Sequence, residues 1–372
     1  MDAWSIAVPG TAPGMGASVA LRRFGTEGRR PKVYIQAGLH ADEVPPMLVA
    51  HHLQALLRAA DEAGRVRGEI VVAPAANPLG LSQVVLHGSV GRFDMSDGRN
   101  FNRFFPWLGP AMADRAGPEL GPDENANRLL VRRTLRNALD ALSPPLHAAD
   151  RLKHTLLGLA LDADLVLDLH CGSEAVPHLY TLTPLADAFA PMAGLMGARA
   201  VLLATESGDD PFDEACSRPW LHLRERFPHH PIPLGCAAAT LEFRGEKDVS
   251  HHLARADAAA VLGALVLAGA VDGPGPAVSP PPPVTDLAAA EPLVAPVAGM
   301  VVFHAEPGAI LHPGAPVADI VDPLTNETVT VSTGAGGLLY TRTTARFVLP
   351  GARLGTVAGS GPARRTGALL SA

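Results

Sequence analysis

His40 and Glu43 stand with two residues between them in the segment VYIQAGLHADEVPPMLVAHHL, and a further imidazole, His170, falls near the end of ADLVLDLHCGSE. A hydrolytic zinc centre commonly takes two imidazoles and one carboxylate and leaves a coordination position for water. His-x-x-Glu brings one imidazole and one carboxylate close together, and His170 completes the set. Both segments read as short apolar strands with these residues at or just beyond the carboxyl end, where ligands gather in an open α/β sheet. The alternative for the first pair is a loop histidine and a helix-starting acid, since acids near helix N-termini are common for dipole reasons. Asp168 lies two residues before His170 on the same strand face, and either orients a ligand or caps the strand. The Cys171 side chain should point to the opposite face, which leaves it outside the metal shell.

The segment GRFDMSDGRNFNRFFP gathers Arg92, Arg99, Asn100, Asn102 and Arg103 in a Gly-containing loop. Arginine offers a planar donor fork that suits a carboxylate, and a neighbouring asparagine adds a hydrogen bond. The other reading is a solvated basic loop. The adjacent pairs His51 and His52, His229 and His230, and His251 and His252 are set aside, because neighbouring side chains point in different directions.

The elements that must position these residues follow from the apolar pattern. Strands are expected over residues 32–37, 69–73, 164–169, 200–204 and 238–243, and helices over 45–60, 125–142 and 251–270. Strands alternating with longer helical stretches predict an α/β domain. Pro45 and Pro46 fall in a first helical turn, where a missing N–H costs nothing. The stretch GPGPAVSPPPPV forbids helix and sets a stiff connector at 273–284, between a catalytic domain over 1–272 and a β-rich module over 285–372. In that module EPLVAPVAGMVVFHAEPGAILHPGAPVADIVDP has Gly-Pro punctuation and no helical period. It is similar to half of a lipoyl-like barrel-sandwich, but no lysine follows Lys247, so it cannot accept biotin or lipoate. A cover over the site or a homo-oligomer contact is left as its role.

With 47% apolar and 18% charged residues the chain belongs among compact globular proteins. A formal net charge of −7 and an aromatic content of 5% argue against nucleic acid as partner. Three scattered cysteines fit a reducing compartment and exclude a disulfide framework. The N-terminus lacks a signal-peptide pattern and no apolar stretch has the length of a membrane span, so a cytoplasmic protein without a membrane partner is expected.

Taken in order, GLHADE, NPLG, DGRNFNRFFP, DLHCG and TLEFR resemble the succinylglutamate desuccinylase/aspartoacylase family of the zinc carboxypeptidase superfamily, over roughly residues 30 to 260. The resemblance implies a zinc carboxypeptidase-like mixed sheet flanked by helices, followed by a smaller all-β domain. It implies one Zn2+ on His40, Glu43 and His170, and a substrate carboxylate on Asn102 and Arg103. A separate arginine that polarises the scissile carbonyl falls to Arg92, with Arg99 competing for the role. Glu242 matches the catalytic glutamate, which takes the proton of activated water and passes it to the leaving amine. Burial on its apolar strand should raise its pKa, whereas the rival Glu246 falls in a polar turn. The expected activity is hydrolysis of the amide bond of an N-acyl amino acid or a similar small carboxylate-bearing amide. The alternatives are a carboxypeptidase acting on short peptides and a non-catalytic carboxylate-binding homologue.

Overall fold

The computed structural model of the protein describes residues 1–359 and 369–370, so the rest of the 285–372 module lies outside the described residues. A nine-stranded mixed sheet organises the first part of the chain. From one edge its strands run Asp2–Pro9, Gly16–Gly25, Glu69–Ala73, Lys32–Ala37, Leu165–Gly172, Ala237–Gly245, His178–Leu182, Ala200–Ala204 and Val284–Asp286. Lys32–Ala37, Leu165–Gly172 and Ala237–Gly245 are mutually parallel neighbours, and His178–Leu182 runs antiparallel to the last of them.

Strand alternation divides the buried residues between two cores. Tyr34, Val71, Val166 and Ala238 face the helices Gly109–Ala116, Glu124–Asp140, Ala148–Ala160 and Phe212–Arg226. Ile35, Val72, Leu167 and Leu241 face Pro45–Glu62, Ala186–Leu195 and His251–Leu267. Each helix presents apolar residues at helical spacing, as Val49, Leu53, Leu57 and Ala60 do in the first of them. His52 Nε2 and His251 Nδ1, from two helices, meet 2.9 Å apart at the surface. Among the described residues no helix is long and apolar enough to cross a membrane.

Residues 273–283 form neither helix nor strand, and Val284–Asp286 then pairs with Ala200–Ala204 at the edge of the large sheet. Beyond it, two small antiparallel sheets close over Leu293, Val301, Val317, Ile320, Leu339 and Leu354. A further apolar cluster joins this module to the large sheet, packing Leu202 with Leu287, Leu338 and Tyr340. The strand Gly337–Arg342 also pairs with Glu174–Ala175, only a few residues beyond His170. Arg342 fixes the contact: Nε lies 2.5 Å from Glu174 Oε2, and Nη1 donates to Ala305 O at 2.8 Å.

Replacing Arg342 by Ala removes these bonds and the ion pair with Glu306 at 2.7 Å, and leaves Glu174 with Arg346, at 2.6 Å. The expected loss is on the order of 2 kcal/mol, since hydrogen bonds to charged groups contribute more than neutral ones. Chemical denaturation measures it; a variant as stable as the parent would mean that the apolar cluster and the strand pairings join the two parts without Arg342.

Candidate active site

The sheet register sets the site. After Lys32–Ala37 the chain turns at Gly38, whose φ of 71° is in the left-handed region and whose missing Cβ would lie 2.8 Å from Met47 Sδ. His40 and Glu43 follow in the turn before the helix Pro45–Glu62. On the next strands His170 is the partner of Glu242, and Glu242 is in turn the partner of His178. The strand carrying His170 extends to Gly172, so this imidazole is held by the sheet rather than by a loop.

The two imidazoles address one carboxylate. His40 Nδ1 lies 2.8 Å from Glu43 Oε1 and His170 Nδ1 lies 2.9 Å from Glu43 Oε2. Both Nε2 atoms are occupied on the far side. His40 Nε2 is 2.8 Å from Asn100 Oδ1, and His170 Nε2 is 2.9 Å from Asp168 Oδ2, at ion-pair distance although not aligned as a hydrogen bond. Outer acceptors of this kind fix the tautomer and leave the Nδ1 lone pairs for a cation. One ligand atom from each of His40, Glu43 and His170 lies within 4.8 Å of the others, all three residues being buried. The donor set therefore fits a divalent metal with nitrogen and oxygen ligands. Cys171 contributes its backbone N–H, which donates to Glu43 Oε2 at 3.0 Å.

The charges agree with this arrangement. Burial, then Arg92, brings His40 down to about 4, so it is neutral. Burial opposes a charge on His170 too, but Asp168 and Glu43 outweigh it and hold the imidazole well above its usual range. Burial works to raise the Glu43 carboxyl, and the two imidazoles overcome it and hold the group well below the usual carboxylate range. Glu242 is part-buried, with Oε2 enclosed and without a hydrogen-bond partner among the described residues. Burial, then the Glu43 charge, pushes its carboxyl up to about 8.

The arginine loop folds into a small hairpin in which Phe93 bridges Asn100 and the Phe101 N–H donates to Arg92 O at 3.1 Å. Arg92 and Arg99 leave it in different directions. Arg92 Nη1 reaches Glu43 Oε1 at 2.9 Å and His40 Nδ1 at 3.2 Å. Arg99 pairs with Asp97 at 2.6 Å and Asp150 at 3.3 Å, and does not line the cavity. Asn102 is engaged by the fold: its Oδ1 accepts the Phe212 N–H at 2.9 Å, and its Nδ2 is 3.4 Å from His170 Nε2. Arg103 is 7% exposed and donates to Asn102 O at 2.6 Å and Leu370 O at 3.2 Å. No carboxylate lies within 4.0 Å of it among the described residues, and burial, then Arg92, lowers its pKa.

These groups open onto a cavity of about 640 Å3. The second part of the chain supplies one wall, including Pro292, Tyr340, Arg353 and Thr356. None of these stood out in the sequence, because each is an ordinary residue until strand pairing brings it over the metal cluster. His178 was likewise without a distinguishing signal, whereas Asp168 was marked by its spacing from His170, and Asn100, marked as a member of the arginine loop, holds His40 Nε2.

The comparisons accord with the geometry. The model of the succinylglutamate desuccinylase/aspartoacylase catalytic domain matches residues 29–267. The chain belongs to this family. A solved family protein from Shewanella amazonensis is 26% identical, with a TM-score of 0.86 over 97% of this chain and 99% of that one. A second, from Shewanella frigidimarina, is 26% identical with a TM-score of 0.84 over 96% and 97%. The ectoine utilization protein EutE from Ruegeria pomeroyi shares the fold at 17% identity, with a TM-score of 0.66 over 96% and 94%. No curated protein matches the chain. The family is one of deacylating hydrolases that act on amides.

Entry of a divalent cation has to displace the proton of His170, so binding should release protons and strengthen as pH rises. Calorimetry in buffers of different ionisation enthalpy reads the release directly, and a buffer-independent heat near neutral pH would contradict it. His40→Ala and His170→Ala should each lose the metal; stoichiometric metal in either variant would show that other residues hold it.

Proposed function

We propose that the protein is a zinc-dependent amidohydrolase that cleaves an N-acyl amino acid or a similar small amide bearing a carboxylate. The observation that supports this most directly is a single cavity lined by three things: the His40, Glu43 and His170 donor set, Glu242, whose Oε2 has no hydrogen-bond partner among the described residues, and the buried Arg103 guanidinium, which has no carboxylate within 4.0 Å among the described residues. A buried cation without an anion is costly, and a substrate carboxylate relieves that cost on binding. Zinc in the donor set would polarise the amide carbonyl and acidify a water.

The chain's own groups supply the rest. Glu242 accepts the proton of the attacking water and delivers it to the leaving nitrogen. Arg92, beside Glu43, donates to the oxygen that gains charge in the transition state. Arg103 orients the substrate through its carboxylate, with Asn102, whose Oδ1 accepts the Phe212 N–H, beside it in the cavity lining. The wall from the second part of the chain favours a small amide over a long peptide, and the intact set of groups favours an enzyme over a binding homologue.

Glu242→Gln keeps the shape and should keep the metal, yet turnover of N-acyl amino acids should fall by about a hundredfold or more, with little change in affinity. Arg103→Lys provides the contrast: it should raise KM for carboxylate-bearing substrates and leave an analogue lacking the carboxylate unaffected. A folded, metal-loaded Gln variant of nearly full activity would remove the mechanism.

A further inference from the structure

Besides His40, Glu43 and His170 the cavity is lined by Thr181, Leu202 and Thr240 from three strands and by Ser207, Asp213 and Glu214, where the chain enters the helix Phe212–Arg226. An N-acyl amino acid with its carboxylate on Arg103 and its nitrogen toward Glu242 has its acyl chain and its side chain left to place, and these residues line the same cavity.

The fold leaves polar groups unmatched there. Asp213 is 6% exposed, and no Lys, Arg or His nitrogen lies within 4.0 Å of it among the described residues. Glu214 is equally buried; its Oε1 accepts the Ser207 N–H at 2.7 Å, but Oε2 is enclosed without a hydrogen-bond partner among the described residues, as is Ser207 Oγ. Arg218 is 3.7 Å from Glu214 Oε2 and is engaged elsewhere, with Asp210 at 2.7 Å and Glu206 at 3.2 Å. Buried carboxyl groups short of donors are costly, and a ligand that brings donors and positive charge relieves that cost. Burial, then Glu214 and Asp168, pushes the Asp213 carboxyl up to about 7, with His170 acting in the opposite direction.

We propose that Asp213, with Glu214 and Ser207 beside it, recognises a cationic side chain, so that the substrate is an N-acylated basic amino acid. This rests on Arg103 as the holder of the carboxylate. An ammonium group offers three donors to Asp213, Ser207 Oγ and their neighbours. An acidic side chain would meet two carboxyl groups in a medium of low dielectric constant and be rejected. The specificity therefore differs from the acidic amino acids in the family's name.

Calorimetric binding of free L-lysine, L-norleucine and L-glutamate to the zinc-loaded protein tests the pocket without any variant, because the three share the α-carboxylate and α-amine. Lysine should bind at least about tenfold more tightly than norleucine. Asp213→Asn should bring lysine to the norleucine level and leave norleucine little changed. Lysine binding no tighter than norleucine in the parent protein, or a loss shared by both ligands in the variant, overturns the proposal. Turnover of the three Nα-acetyl derivatives separates this from the deacylase reading. Lysine preference in binding without turnover of any derivative upholds the pocket and removes the deacylase; turnover that favours norleucine or glutamate overturns the pocket and keeps the deacylase.

Discussion

The Glu43 carboxylate lies between two imidazole nitrogens, and much of the surrounding structure serves to keep it there. His40 reaches it from the same turn and His170 from the adjoining strand, at 2.8 and 2.9 Å. Asn100 and Asp168 hold the far side of each ring, and Arg92 and the Cys171 N–H take up the remaining carboxylate valences. In a buried setting each of these groups would be costly alone. Together they form a cluster whose charges balance only when a cation, here the His170 proton or a metal, lies among them.

That constraint extends outward through the sheet. Leu165–Gly172 is held on both sides, by Lys32–Ala37 and Ala237–Gly245, so a slip of one residue in this strand would turn His170 away from the cavity and from its partner Glu242. The β module continues the same logic: its strand Gly337–Arg342 pairs just beyond His170, and its residues complete the cavity wall. The shape of the cavity is thus linked to how firmly Arg342 and the Leu202, Leu287 and Tyr340 cluster hold the two parts together.

Much of this was legible in the sequence because the chemistry occupies strand ends. The apolar runs around residues 32–37, 69–73 and 164–169 are buried on both faces, and such strands announce themselves by composition. Hence the family resemblance, with the mixed sheet it implies, and the helices over 45–60, 125–142 and 251–270 were readable, whereas Gly109–Ala116, Ala148–Ala160, Ala186–Leu195 and Phe212–Arg226 were not. The edge hairpin Asp2–Pro9 and Gly16–Gly25 was not, because it alternates exposed and buried residues through polar positions. His178–Leu182 was also missed: it is short, preceded by Pro177, and carries a buried histidine and threonine that gain partners only in the fold. The same limit hid Asp213 and Tyr340, which are separated by over a hundred residues and line one cavity. Arg92 and Arg99 looked interchangeable until the hairpin sent one to Glu43 and the other to Asp97.

X-ray absorption at the zinc edge of the loaded protein tests the central claim most directly, since it reads the ligand atoms without reference to activity. The account predicts one zinc per chain with imidazole nitrogen and carboxylate oxygen at about 2.0–2.2 Å and no sulfur. A zinc–sulfur distance near about 2.3 Å would mean that Cys171 has turned into the shell, and would contradict the arrangement built around Glu43.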